Sequence, residues 1–264
     1  MGRRQSSQRP KPSSRGPRRP RKATAAASDR GALARPLDTL VFLLPWILFY
    51  QIALLVLPPR TATPGCDQVV AIDLLMLFFE LFGTTAVIMP GLAVVVILLC
   101  THVASREPWK VDRGAVAWMY VESVVLAMPL VLLSLLIQGS HPFAATTQTA
   151  GYPWITETTL YIGAGIFEEL LFRLVLISVL VIIGADLLRL PDRTTIWAAV
   201  FLAAGLFAAH HYAPIGSDPF VWSGFAFRAM AGVYLGTVFV YRGYGPAAGL
   251  HIAYNLLAFA VASR

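Results

Sequence analysis

The chain has 264 residues, of which 57% are hydrophobic and only 13% are charged, and its formal net charge is +7. Ordinary globular domains have about 25% charged residues, so this composition argues against a soluble protein. The charge is uneven, because residues 1–35 hold 11 of the 21 Lys and Arg residues and a single acid, Asp29. The other residues are mildly acidic and very apolar, so we do not expect a nucleic-acid partner.

Residues 1–35 form a low-complexity tail in which Pro, Ser, Gly and Arg dominate. Large apolar residues are almost absent, so the tail cannot bury enough surface to offset its ordering entropy, and we predict disorder. The apolar run that follows is long and lacks a small-residue cleavage site, which argues against a secretory signal peptide. We interpret the tail as a signal that keeps the N-terminus in the cytoplasm. The alternative is direct attraction to anionic lipid headgroups or to nucleic acid.

From Asp38 onward, apolar runs long enough to cross ~30 Å of hydrocarbon recur along the chain. They predict an all-α, polytopic membrane domain over residues 36–264, with about seven transmembrane helices and a range of six to eight. The run 71–101 is longer than one span needs and contains Pro90, so one kinked helix and two short helices both remain open. The predicted spans are 38–57, 71–101, 114–137, 155–184, 195–212, 220–241 and 244–262.

The placement of Lys and Arg orients these spans through the positive-inside rule. With one span over 71–101, the basic loop 106–113 and Arg242 fall on the same side as the tail. The loop 138–154 contains no Lys or Arg and falls on the opposite side. We therefore predict a multi-pass protein of the cell membrane whose N-terminus is cytoplasmic and whose C-terminus lies outside.

The second half of the chain carries ionisable groups inside predicted spans, where such groups are costly and usually functional. Glu168, Glu169 and Arg173 lie near the middle of the span 155–184. Glu169 and Arg173 are four residues apart and share a helix face, so Arg173 can neutralise Glu169. Glu168 points about 100° away and has no intrahelical cation as a partner, which makes it a candidate general base. The alternative is a buried Glu–Arg pair that only fixes helix packing.

Two further polar clusters follow in later spans. His210 and His211 lie at the outer end of the span 195–212, and adjacent helical residues do not share a face, so we expect only one histidine to face a site. His251 and Asn255 are four residues apart in the last span and project to the same side. Both can donate to one oxygen, as stabilisation of an oxyanion requires. A hydrogen-bonded pair that only joins two helices is the alternative.

The three clusters supply a base, a second proton-transfer group and a pair of hydrogen-bond donors without a Ser/His/Asp triad or a reactive cysteine. Glu and His are also common zinc ligands. No HExxH motif occurs, however, and the candidate groups lie on three separate spans. We therefore expect no required cofactor, while a divalent metal such as zinc remains open.

The polar residues form three short motifs: EExxxR at 168–173, FxxxH at 207–211 and HxxxN at 251–255, in that order on successive apolar spans. This arrangement resembles the CPBP family, the CAAX-protease and bacteriocin-processing intramembrane endopeptidases. The family is also called the ABI or type II CAAX prenyl protease (Rce1-like) family. The resemblance covers residues 114–262, which would form the catalytic core.

The resemblance implies an all-helical intramembrane protease with a cavity that opens toward the cytosol and the membrane. It also implies roles for six residues at motif positions. His210 is not at a motif position, so it stays outside the predicted site. Members of the family were long labelled metalloproteases, but we favour a glutamate mechanism that needs no metal. The implied roles are water activation by Glu168 with His211, an oxyanion hole of His251 and Asn255, and support by Glu169 and Arg173.

We therefore expect an endopeptidase that hydrolyses a membrane-embedded or lipidated substrate within the lipid bilayer. A CAAX protein, a bacteriocin leader and a C-terminal sorting signal all remain open as substrates, and the oligomeric state is undetermined. Two other functions remain open as well: a proton-coupled transporter that uses the buried groups as a relay, and a non-catalytic immunity or scaffold protein. Transporters often contain internal repeats, whereas here the polar clusters all follow residue 160.

Overall fold

A computed structural model describes residues 33–56, 70–80, 88–138, 154–216 and 218–262. The predicted disordered tail falls outside these ranges, apart from residues 33–35. Over the described residues the chain is almost entirely helical, with eight helices and one isolated β-bridge between Tyr212 and Asp218. The helices are α1 (Pro36–Val56), α2 (Val70–Glu80), α3 (Met89–Ser105), α4 (Arg113–Gln138), α5 (Trp154–Leu187), α6 (Asp192–Ala209), α7 (Trp222–Arg242) and α8 (Tyr244–Ala262).

The described helices confirm the all-α, polytopic fold class. Helices α1, α4, α5, α6 and α7 are long and apolar enough to cross a membrane, and α3 is a shorter apolar helix of 17 residues. Helix α8 has 19 residues and carries His251 and Asn255 among apolar ones. Because hydrocarbon offers the backbone no hydrogen-bond partner, a continuous helix is the stable form for such segments.

The predicted span 71–101 contains two helices. Helix α2 ends at Glu80 and α3 begins at Met89, while residues 81–87 lie outside the described part of the chain. Pro90 falls in the first turn of α3, where its missing N–H breaks no helical hydrogen bond. Helix α2 has 11 residues, and at ~1.5 Å per residue it is too short to cross ~30 Å of hydrocarbon.

Helix α5 is the longest helix described, with 34 residues instead of the 30 predicted over 155–184. It contains two π-helical stretches, Glu169–Ile177 and Ile182–Leu187, in which the backbone bonds i→i+5. The first stretch begins directly after Glu168. Stretches of this kind occur frequently at functional sites.

The main core lies where α1, α5 and α8 meet. Small residues allow α5 and α8 to approach closely, because a Cβ at Gly165 would lie 2.8 Å from the backbone nitrogen of Ile252. Close approach at small residues is typical of helix packing in membranes. It brings the middle of α5 opposite the first half of α8. Buried core residues at this junction are Phe42, Leu43, Ile162, Ile166, Phe167, Ala248 and Ile252.

Residues 33–35 join one end of the bundle. Arg35 donates from Nη2 to the carbonyl oxygens of Pro108 and Lys110, both at 2.9 Å, and the Ala34 N–H donates to the Arg242 carbonyl at 2.9 Å. These contacts bring the end of the tail, the loop after α3 and the end of α7 to one face of the bundle. The positive-inside pattern predicts this grouping, and the cytoplasmic orientation of the face stays a prediction.

Candidate active site

The predicted pair of Glu169 and Arg173 is present and fully buried. Arg173 Nη1 lies 3.0 Å from Glu169 Oε1, and the two side chains are 1% and 0% exposed. The Arg173 guanidinium also lies over the ring of Phe207, 4.2 Å from the ring centroid. The attraction between a cation and an aromatic face is stronger where water is excluded. The Arg173 guanidinium therefore contacts Glu169 and Phe207 at the same time.

His251 of α8 lies between the two carboxylates of α5. Its Nδ1 is 2.9 Å from Glu169 Oε1, and its Nε2 is 3.8 Å from Glu168 Oε2. An ionised carboxylate can only accept, so the Nδ1–H of His251 donates to Glu169. This hydrogen bond fixes the ring orientation and presents Nε2 to Glu168.

Both histidines at the end of α6 lie against Glu168. His210 Nε2 is 3.8 Å from Glu168 Oε1, and ligand atoms of Glu168, His210 and His211 lie within 4.8 Å of one another. The structure overturns the expectation that only one histidine faces the site, because α6 ends at Ala209 and the two residues continue as a turn. The Nδ1 atoms of both rings approach the Phe207 carbonyl oxygen, so both Nε2 atoms remain for the site.

Asn255 faces α5, as its spacing from His251 predicts, but it has a partner of its own. Its Nδ2 donates to the carbonyl oxygen of Tyr161 at 3.2 Å. A primary amide has two N–H groups, so one of them remains for another acceptor. His251 and Asn255 thus both contact α5, at Glu169 and at Tyr161 respectively.

His210 is the buried site residue that the sequence reasoning left out. It is 3% exposed, less than His251 at 7%. The sequence did hold a signal for it, because an ionisable group at membrane depth is functional by default. That criterion applied to His210 and His211 equally, and the motif position decided between them.

Glu168, His210 and His211 also fit a divalent metal ion in type and spacing. Two imidazoles and a carboxylate are the ligands of several catalytic zinc sites. The Phe207 carbonyl that engages both Nδ1 atoms corresponds to the outer hydrogen bond that orients metal-binding histidines. Among the described ranges, no second group of three such residues lies this close together.

The turn that carries the histidines is held by backbone hydrogen bonds. The Gly216 N–H donates to the Tyr212 carbonyl at 2.9 Å, and the Asp218 N–H donates to the His211 carbonyl at 3.0 Å. A Cβ at Gly216 would collide with the carbonyl of His211, so a side chain does not fit there.

Comparison with known proteins bears on the same part of the chain. Residues 150–257 match the family model described as Type II CAAX prenyl endopeptidase Rce1-like. The matched segment includes the two carboxylates, the three histidines, Arg173 and Asn255. No curated protein and no solved structure matches the chain.

Proposed function

From the match of residues 150–257 to the family model described as Type II CAAX prenyl endopeptidase Rce1-like, we propose that the chain is a membrane protease in which Glu168 activates water for peptide hydrolysis within the membrane. The family match supports a membrane protease in general. The observation that carries the finer proposal is the convergence of Glu168, His210, His211 and His251, from three parts of the chain, at one buried place.

The two adjacent carboxylates have different roles in this proposal. Glu169 is held by Arg173 and His251, so its charge is fixed in place. Glu168 faces the imidazoles of His210 and His251 at 3.8 Å, which exceeds a hydrogen-bond distance. Glu168 is therefore the carboxylate that remains available to take a proton from a water molecule between it and an imidazole.

The proposed reaction follows from this division. As the water oxygen bonds to the carbonyl carbon, Glu168 takes one water proton, assisted by His211. The carbonyl oxygen becomes an oxyanion, which receives the second N–H of Asn255 and the Nε2–H of a protonated His251. Glu169 balances the charge of that imidazolium through Nδ1. The proton then passes to the leaving amine nitrogen as the C–N bond breaks.

The proposed substrate is a peptide segment held at membrane depth, either embedded or lipidated, because Glu168 lies near the middle of a 34-residue apolar helix. No cofactor is required in this proposal. If a zinc ion binds, Glu168, His210 and His211 would hold it, and the ion would supply a polarised water.

Asn255→Ala is expected to lower kcat by about 10²–10³, because it removes one donor to the oxyanion. Cleavage of a fluorogenic membrane-anchored peptide in proteoliposomes measures this. Thr237→Ala is the control, since the Thr237 hydroxyl donates to Val233 of its own helix. Activity of the Asn255 variant within about threefold of the parent would remove Asn255 from the oxyanion hole.

Chelators are expected to leave the cleavage rate within about twofold of the untreated value, because the base in this proposal is a carboxylate. The measurement compares purified protein with and without prolonged treatment by a strong zinc chelator. A rate that is lost on chelation and returns on adding Zn²⁺ would contradict the glutamate mechanism and assign Glu168, His210 and His211 to a metal.

A further inference from the structure

An ion pair that the proposed chemistry does not use lies beside the histidine turn. Arg228 of α7 pairs through Nη2 with Oδ2 of Asp218, and the side chains are 13% and 19% exposed. The Arg228 guanidinium also lies over the ring of Tyr212, 5.1 Å from the ring centroid. Asp218 and Tyr212 belong to the segment that follows His210 and His211, so Arg228 contacts this segment at two places.

Asp218 connects this ion pair to the histidines. Its carboxylate accepts a hydrogen bond from the Arg228 guanidinium, while its backbone N–H donates to the carbonyl of His211 at 3.0 Å. On the other side, Tyr212 is the residue next to His211, and its ring is covered by the same guanidinium. Movement of the His211 peptide would therefore disturb both contacts of Arg228.

The histidines need such a constraint because α6 ends before them. Ala209 is the last residue of α6, and the His210 N–H still donates to the Leu206 carbonyl at 2.9 Å, so the contacts of the turn matter most for His211 and the residues after it. Helix α7 is a firm support for these contacts, since a Cβ at Gly232, one turn after Arg228, would lie 2.9 Å from the Cα of Ala204 on α6. Arg228 thus stands on a helix that is packed against the helix it stabilises.

We propose that Arg228 is a positioning residue, which acts through Asp218 and Tyr212 to keep His210 and His211 directed at Glu168. Because its ion pair is largely buried, removing one partner costs more than breaking a pair on the surface. The kinetic part of this inference rests on the proposed function. The geometric part, that the pair fixes the histidine turn, does not.

The kinetic test uses the full chain in proteoliposomes. Arg228→Met and Asp218→Asn are each expected to lower kcat by about 10–100-fold with KM within about twofold, because small displacements of catalytic groups have effects of this size. The double variant is expected to lose no more than either single variant, since both remove one coupling. Arg228→Lys, which can still pair with Asp218, should restore most of the loss.

A matched ion pair supplies the control. Glu122 and Arg242 form a pair at 2.6 and 2.8 Å between α4 and the end of α7, away from the histidine turn. Glu122→Gln is expected to keep kcat within about twofold of the parent. Additive losses in the Arg228 and Asp218 variants would overturn the proposal. A rise in KM at constant kcat would also overturn it, because Arg228 would then bind substrate.

A second readout does not depend on cleavage. Carbethoxylation of His210 by diethyl pyrocarbonate, mapped by mass spectrometry, reports how accessible this side chain is. His210 is 3% exposed, so a higher modification rate means that the side chain has become more exposed. Arg228→Met is expected to raise the modification rate at least about threefold, and Glu122→Gln should not. An unchanged rate in Arg228→Met overturns the inference. If the parent cleaves no peptide, the proposed function fails, while the reactivity of His210 still decides the role of Arg228.

Discussion

Glu168→Gln is expected to abolish peptide cleavage while the protein still inserts and folds. The amide has nearly the shape of the carboxylate but cannot take a proton from water. A general base typically contributes about 10²–10⁴-fold to the rate, so we expect the cleavage rate to fall by at least about 10³-fold. Cleavage of a membrane-anchored peptide in proteoliposomes gives the rate, and thermal unfolding in detergent confirms that the variant is folded.

Glu157→Gln is the matched control for this experiment. Glu157 lies in the first turn of the same helix, α5, and the same chemical change there should preserve cleavage. Normal processing by the Glu168 variant would refute the glutamate assignment. An immunity phenotype that survives in the same variant would instead favour a non-catalytic protein, and ion flux that survives without cleavage would favour a transporter.

Arg173→Met is expected to lower the free energy of unfolding by about 3–5 kcal/mol, because it leaves the charge of a fully buried Glu169 without its cation. The contact between the guanidinium and the Phe207 ring is lost as well. Denaturant titration in mixed micelles, followed by Trp fluorescence, measures the change.

The double variant Glu169→Gln/Arg173→Met should regain most of this stability, because replacing both partners of a buried pair costs far less than removing one. For comparison, Glu122→Gln breaks a pair whose Arg242 side chain is 33% exposed, so its loss should stay near or below about 1 kcal/mol. A loss below about 1 kcal/mol in Arg173→Met, or a double variant no more stable than the single one, would contradict this account.

The fold was largely predictable because a membrane helix is defined by its length and hydropathy. The last helix was predicted over 244–262, and α8 runs from Tyr244 to Ala262. Its start is set locally by Gly243, whose φ of 89° favours glycine and separates α7 from α8. The end of α6 was predicted three residues late, because His210, His211 and Tyr212 give no local stop signal. Backbone hydrogen bonds of the following turn, such as that from the Tyr212 N–H to the Ala209 carbonyl, replace the helical ones there.

The site was predictable only where two residues share one helix. The spacing of four placed Arg173 beside Glu169, and it placed His251 and Asn255 on one face. The partners that come from other helices required the structure, since Glu169 and His251 are 82 positions apart. Arg228 lies inside the predicted span 220–241, so its charge was a readable signal that the sequence analysis did not use.

The π-helical stretch Glu169–Ile177 has a consequence for comparisons among homologous sequences. A π-helical turn contains about one residue more than an α-helical turn, so it accommodates a small insertion without lengthening the helix. A homologue with a regular α-helix here would need fewer residues between its carboxylates and the end of the helix. Its alignment would then require a gap within this stretch. Without that gap, it would pair the wrong residue with Gly184, which packs closely on Thr195.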